Sequence, residues 1–134
     1  MADHANVQRI RQTYSALATG DVTAVLQNLA PHGVLHLKGS GPLSGDHTGH
    51  AAVTAALAGI IDLTAGSLSV EVSGVFADDR HGVVVLRERA SRPDGATLDV
   101  EEVHVLALDG EGLITDIWDL PDDPEAHDRF FDGL

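Results

Sequence analysis

Residues 97–108, TLDVEEVHVLAL, place a glutamate and a histidine two positions apart, at Glu102 and His104. Apolar residues recur there with period two, which predicts a β-strand with Leu98, Val100, Glu102, His104, Leu106 and Leu108 on one face. Side chains at i and i+2 stand about 7 Å apart, so one small substrate or one water can touch both. A carboxyl on an apolar wall holds its proton more tightly than in water, and an imidazole titrates near neutral pH. The pair is therefore a candidate for general acid–base chemistry. The alternative places the strand at a sheet edge or an interface, where both residues reach solvent or a partner subunit.

A second carboxylate comes from the final apolar segment, LITDIWDL. Leu113, Thr115, Ile117 and Asp119 share one face, while Ile114, Asp116 and Trp118 share the other. If the first face lines a pocket, Asp119 joins the acid–base set near its mouth. If the second does, Trp118 is a pocket wall. The pattern leaves both open, beside plain packing of Trp118 in a core or interface.

The chain has 8 histidines. His4, His32, His81 and His127 fall in termini or turns and read as solvated. His36 lies on a short strand, His47 reads as a pocket-wall residue, and His50 as an early helix residue facing water. The spacing of His47 and His50 can bring two imidazoles to one metal, but no third ligand is specified, so no metal site is expected. Tyr14 lies on an apolar helix stripe, where its hydroxyl needs a partner if buried. Cysteine is absent, which excludes thiol nucleophiles and disulfides. No P-loop, G-x-S-x-G or dinucleotide fingerprint occurs.

These groups must be positioned by a chain of 134 residues, 43% hydrophobic and 22% charged, the size and composition of one folded domain spanning 1–134. Its net charge of −13 opposes binding to nucleic acid or anionic membranes. No apolar run approaches the roughly 20 residues of a membrane span, and MADHANVQRIRQ does not resemble a signal peptide, so a cytoplasmic location is expected. Low Lys with high Ala, Gly and Asp suits a bacterial source.

Val7, Ile10, Tyr14 and Leu17 predict a first helix ended by Gly20. Asp21 caps a second, with Val22, Val25, Leu26 and Leu29 inward and Pro31 closing it. Val34 to Lys38 predict a short strand, followed by a glycine-rich loop, KGSGPLSGDHTG. A third helix carries Val53, Ala56, Leu57, Ile60 and Ile61, with Gly66 as its stop. Four strands joined by hairpins follow. In the first, Leu68, Val70, Val72 and Phe76 alternate with polar residues. Helices segregated from antiparallel strands predict an α+β fold with a curved sheet wrapped on helices. The acidic tail carries Phe130 and Phe131, and is expected to dock.

This order of elements resembles the NTF2-like cone fold, in which three N-terminal helices pack in a strongly curved antiparallel sheet. Within it, YSALATGD (14–21), LAPHGVLHLKGSGPLSGDHTGHAAV (29–53), RPDG (92–95), EEVHVLALDGEG (101–112) and ITDIWDLPDD (114–123) resemble the SnoaL-like group. That group includes polyketide cyclases and is related to ketosteroid isomerases. The resemblance implies that Glu102 and His104 match a polar residue and histidine of the cyclases, and that Asp119 is nearest to their acid–base aspartate. It also sets Leu37, with His36 beside it, where the isomerases keep their general base, and Thr13, next to Tyr14, where they keep a tyrosine. Steroid isomerisation by that machinery is thus not expected.

The expectation is a cyclase-, isomerase- or epoxide-opening-type enzyme, using metal-free general acid–base catalysis without a cofactor on a polyketide- or terpenoid-like substrate. His104, Glu102 and Asp119 would be catalytic, with His47, His36, Tyr14, Leu37, Trp118 and Phe130 around the substrate. The other reading is a non-catalytic module that binds a hydrophobic small molecule. The family implies a homodimer formed through the outer sheet face.

Overall fold

The computed structural model describes residues 4–39 and 41–132. The first helix, α1, is Ala5–Thr19; its buried stripe is Val7, Ile10 and Tyr14. It ends at Gly20, whose left-handed φ of 75° turns its N–H back onto the last carbonyls. Helix α2, Val22–Gln27, starts where Asp21 accepts from the Ala24 N–H at 3.2 Å. It stops before Leu29, earlier than its apolar spacing predicts, because Leu29 opens strand β1, Leu29–Leu37. Pro31 is tolerated in that strand because its pairing is interrupted between Leu29 and Val34.

The glycine-rich loop contains a short strand, β2, Gly45–Thr48, paired antiparallel with Val34 to Leu37 of β1. Helix α3, His50–Leu63, follows. A meander of β3, Ser69–Ala77, β4, His81–Ser91, β5, Thr97–Leu108, and β6, Ile114–Pro121, leads to α4, Pro124–Asp132. The tail docks as this last helix. Sheet order is β2-β1-β6-β5-β4-β3. The β1–β6 pair is parallel, unlike the all-antiparallel sheet expected, because β1 joins the far edge of the meander rather than its sequence neighbour β3.

Two bulges decide which residues face inward. Val72 pairs with Leu86 and Gly74 with Val85, so Ser73 is an extra residue that reverses the alternation of β3. Val75 therefore turns into the core, and Phe76, expected on the inner face with Val70 and Val72, is 63% exposed outside. On β6, Ala107 faces Asp116 and Leu108 faces Ile114, leaving Thr115 as the extra residue. Ile114 and Ile117 thus both turn inward despite their odd separation.

Helix α1 lies on the concave face of the sheet through Ile10, packed with Val84, Leu86 and Leu106. Gly82 permits this approach, since a Cβ there would sit 2.6 Å from Ile10 Cδ1. Among the described residues no helix is long and apolar enough to cross a membrane.

Candidate functional site

The helices and sheet enclose an open cavity of about 130 Å³ with walls of leucine, isoleucine and valine. Besides Thr13, Lys38 and Ser44, the lining carries a cluster of titratable side chains: Tyr14 from α1, Glu88 from β4, Glu102 and His104 from β5, Asp119 from β6, and His127 from α4. Strand pairing assembles it. His104 sits directly opposite Asp119, and Glu88, paired with Val100, is the diagonal neighbour of Glu102.

The Tyr14 hydroxyl lies 2.6 Å from His104 Nδ1, and His104 Nε2 lies 3.3 Å from Glu102 Oε1. Burial pushes the Tyr14 phenol well above its ordinary value, helped by the charges of Glu102 and Asp119. Burial also lowers the His104 pKa, against the pull of Asp119 and Glu88. A protonated phenol beside a neutral imidazole fixes the direction of the chain. Tyr14 donates to Nδ1, leaving the ring proton on Nε2 to be donated to Glu102.

Glu102 is only 1% exposed, and burial pushes its carboxyl up to about 7 even though Glu88 donates a hydrogen bond to it. Burial, followed by the charge of Glu102 and this shared hydrogen bond, pushes Glu88 up to about 8. Two carboxyls sharing one proton is the expected outcome when like charges meet away from water. Across the patch, His127 Nε2 stands 3.7 Å from Asp119 Oδ2 and 4.0 Å from Glu88 Oε1.

Glu88, Glu102 and His127 are also the described group whose donor atoms come close enough to suggest a metal, all within 4.8 Å of one another. The hydrogen bond between the two glutamates already relieves their repulsion with a proton.

Of the residues singled out in the sequence, Glu102, His104, Asp119, Tyr14 and Leu37 line the cavity. Four others lie elsewhere. His36 points to the outer face, flat against Trp118 with ring centroids 4.9 Å apart. Its two nitrogens meet Asp46 at 2.7 Å and Asp116 at 2.9 Å. Partial burial works against charging this imidazole, but the two hydrogen bonds outweigh it and raise its pKa. Trp118 is outward because the inward phase of β6 belongs to Ile117 and Asp119. His47 instead turns to donate to the Leu43 carbonyl at 2.8 Å, while Leu43 and Ser44 form that part of the wall. Phe130 is buried among Ala90, Leu98 and Val100, and its neighbour Phe131 reaches the cavity. His50 is half-buried and bonds the Leu29 carbonyl.

Glu88 and His127 were not anticipated. Glu88 lies within RER, which reads as a solvated charge run, and its neighbours do behave so: Arg87 pairs with Asp99, and Arg89 with Glu71. Alternation along β4 nevertheless groups Glu88 with Val84, Leu86 and Ala90. His127 looks like part of an acidic tail, but is 5% exposed on the face of α4 that also presents Phe130 and Phe131. Its three- and four-residue spacing to those rings is the helical signal for burial.

A curved mixed sheet wrapped on helices, with a polar patch in an apolar cavity, is the NTF2-like cone fold. The chain belongs to the SnoaL-like domain family, whose model matches residues 10–117. An uncharacterised Mycobacterium tuberculosis protein, Rv0034, is 31% identical over 132 residues, covering 98% of this chain and 99% of that one. Bal32a, from a soil-derived mobile gene cassette, is 26% identical with a TM-score of 0.87, over 94% of this chain and 95% of its own. A Jannaschia sp. CCS1 protein provisionally described as a SnoaL-like polyketide cyclase shares the fold. Its TM-score is 0.76 at 15% identity, over 100% of this chain and 99% of that one.

Proposed function

We propose that this chain is an enzyme of the cyclase, isomerase or epoxide-opening type, acting by general acid–base catalysis on a hydrophobic small molecule of polyketide- or terpenoid-like character. The observation that carries this reading is the hydrogen-bonded chain Tyr14–His104–Glu102 opening onto an aliphatic cavity. In it, His104 is the group that takes or gives the substrate proton, with Tyr14 and Glu102 fixing its ring and tautomer. Asp119, opposite His104, lies where it can act as partner acid or base. The family membership supports the reaction class.

The test is a pH–rate profile on a converted substrate. Because burial lowers the His104 pKa, kcat/KM is expected to rise through a midpoint below 6.5, where the imidazole loses its proton to serve as base. A midpoint at or above 6.5, or a kcat/KM that falls as pH rises toward 6.5, would remove His104 from that role.

The outer sheet face is proposed to pair with a second copy of the chain. Val83, Val105 and Trp118 form one row across it, and Val85, Val103 and Leu120 the next. Leu120 is 40% exposed and Phe76, beside Val83, 63%. Apolar rows of this extent are more typical of interfaces than of solvated sheet faces. Sedimentation velocity should give a mass near twice the 14.0 kDa chain, and a monomer mass would remove the pairing.

A further inference from the structure

We propose that the polar patch of the cavity is a recognition site for the ammonium group of a hydrophobic amine. The inference rests on the reading above that the cavity takes a small molecule, and it adds which polar end that molecule carries.

Four buried polar atoms in the patch have no hydrogen-bond partner: the carboxyl oxygens Glu88 Oε1, Glu102 Oε2 and Asp119 Oδ1, and the ring nitrogen His127 Nδ1. Glu102 is 1% exposed and Asp119 4%, and both line the cavity, so these acceptors are withheld from bulk water and presented to whatever fills it. An orphaned buried acceptor is costly, and a donor arriving with the ligand removes that cost. An ammonium brings three N–H donors and a positive charge, a hydroxyl one donor, and a carboxylate none. The patch's own basic groups are the imidazoles of His104 and His127. Among the described residues the lining holds one ammonium, the exposed Lys38, and no arginine.

Titratable groups reach the patch from α1, β4, β5, β6 and α4, namely Tyr14, Glu88, Glu102, His104, Asp119 and His127. Helices α2 and α3 and strands β1 and β3 present only aliphatic side chains to it. The ammonium would therefore sit among carboxyls while its hydrocarbon lies along aliphatic walls. Without ligand, the Glu88–Glu102 pair holds protons near neutrality; an ammonium drives one of them off. Amine affinity should then rise with pH through this range, whereas octanol affinity should not.

The experiment is isothermal titration calorimetry with octylamine, octanol and octanoate, which share one chain and differ in the polar end. At pH 8, octylamine is expected to bind at least about tenfold tighter than octanol, from charge-assisted hydrogen bonds, with octanoate weakest. From pH 6 to 8 its affinity should rise by about tenfold, with protons released into the buffer. The Glu88→Gln/Glu102→Gln variant should bring octylamine to within about threefold of octanol. A preference for octylamine below tenfold, or octanoate binding as tightly as octanol, overturns the proposal while keeping the cavity as a binding site. Failure of all three compounds to bind overturns both.

Discussion

Replacing both buried glutamates, as Glu88→Gln/Glu102→Gln, is expected to abolish a loss of stability that the parent protein suffers on its alkaline side. Both carboxyls hold their protons in the folded state to about 8 and about 7, against an ordinary value of 4.5. The unfolded chain releases those protons above pH 4.5, while the folded chain keeps them. Stability contributed by the two groups is thus fully present below pH 4.5 and is lost as pH rises through the folded values. A neutral buried imidazole acts in the opposite direction. Because the His104 pKa is lowered, the unfolded chain binds a proton below pH 6.5 that the folded chain refuses. Between pH 4.5 and 6.5 the single imidazole offsets one of the two carboxyls, so the net fall is shallower there and steepest just above pH 6.5, continuing to pH 8. Shifts of this size correspond to a loss on the order of 5 kcal/mol for the coupled pair. Urea unfolding from pH 5 to 9 should show this fall in the parent. The double glutamine variant should lack it, keeping only the acid-side decline due to His104. A parent curve flat between pH 6.5 and 9 would contradict the arrangement.

The second large effect belongs to His104→Asn. Asparagine keeps one donor and one acceptor beside Glu102 and Tyr14, so the network retains much of its hydrogen bonding, but an amide cannot exchange protons near neutral pH. On any converted substrate, kcat should fall by roughly 10²–10⁴-fold, the usual contribution of one acid–base group. The melting temperature should stay close to that of the parent. Tyr14→Phe should fall less, because it removes only the hydroxyl that holds Nδ1 and leaves the imidazole able to transfer protons. Turnover by His104→Asn within about threefold of the parent would show that proton transfer lies elsewhere.

The part of the site legible in the sequence is the part carried by unbroken alternation. Strand β5 runs without a bulge from Leu98 to Leu106, so Glu102 and His104 were placed together on an apolar face by counting in twos. Strand β6 defeated the same count. Thr115 adds a residue, and no composition rule says where a sheet will bulge, so the facing of Asp119 stayed open. The same physics misassigned Phe76 through Ser73. His36 and Trp118 form an outward stack because they occupy register-matched positions on a parallel pair, a long-range pairing that local patterning does not reveal. Phe130 and His127 depended on whether the tail became a helix. Its signals were present in the Asp123 carboxylate, which accepts from the Ala126 N–H, and in Pro124 at the first helical position. Arg92 then bonds the Phe130 carbonyl and stacks on its ring, holding that helix over the cavity. The fold was the more legible level, since helix stripes, caps and hairpin turns are local and the family resemblance spans them.

The most direct test of the central claim, that neutral buried carboxyls sit in the cavity beside an acid–base histidine, is a carbon-13 NMR titration of the Glu88 and Glu102 side-chain carboxyls. Midpoints near 8 for Glu88 and near 7 for Glu102 are expected, shared between the two resonances as a coupled pair titrates. Midpoints for both at the ordinary carboxyl value of 4.5 would mean that the groups meet water, and the acid–base site described here would fall.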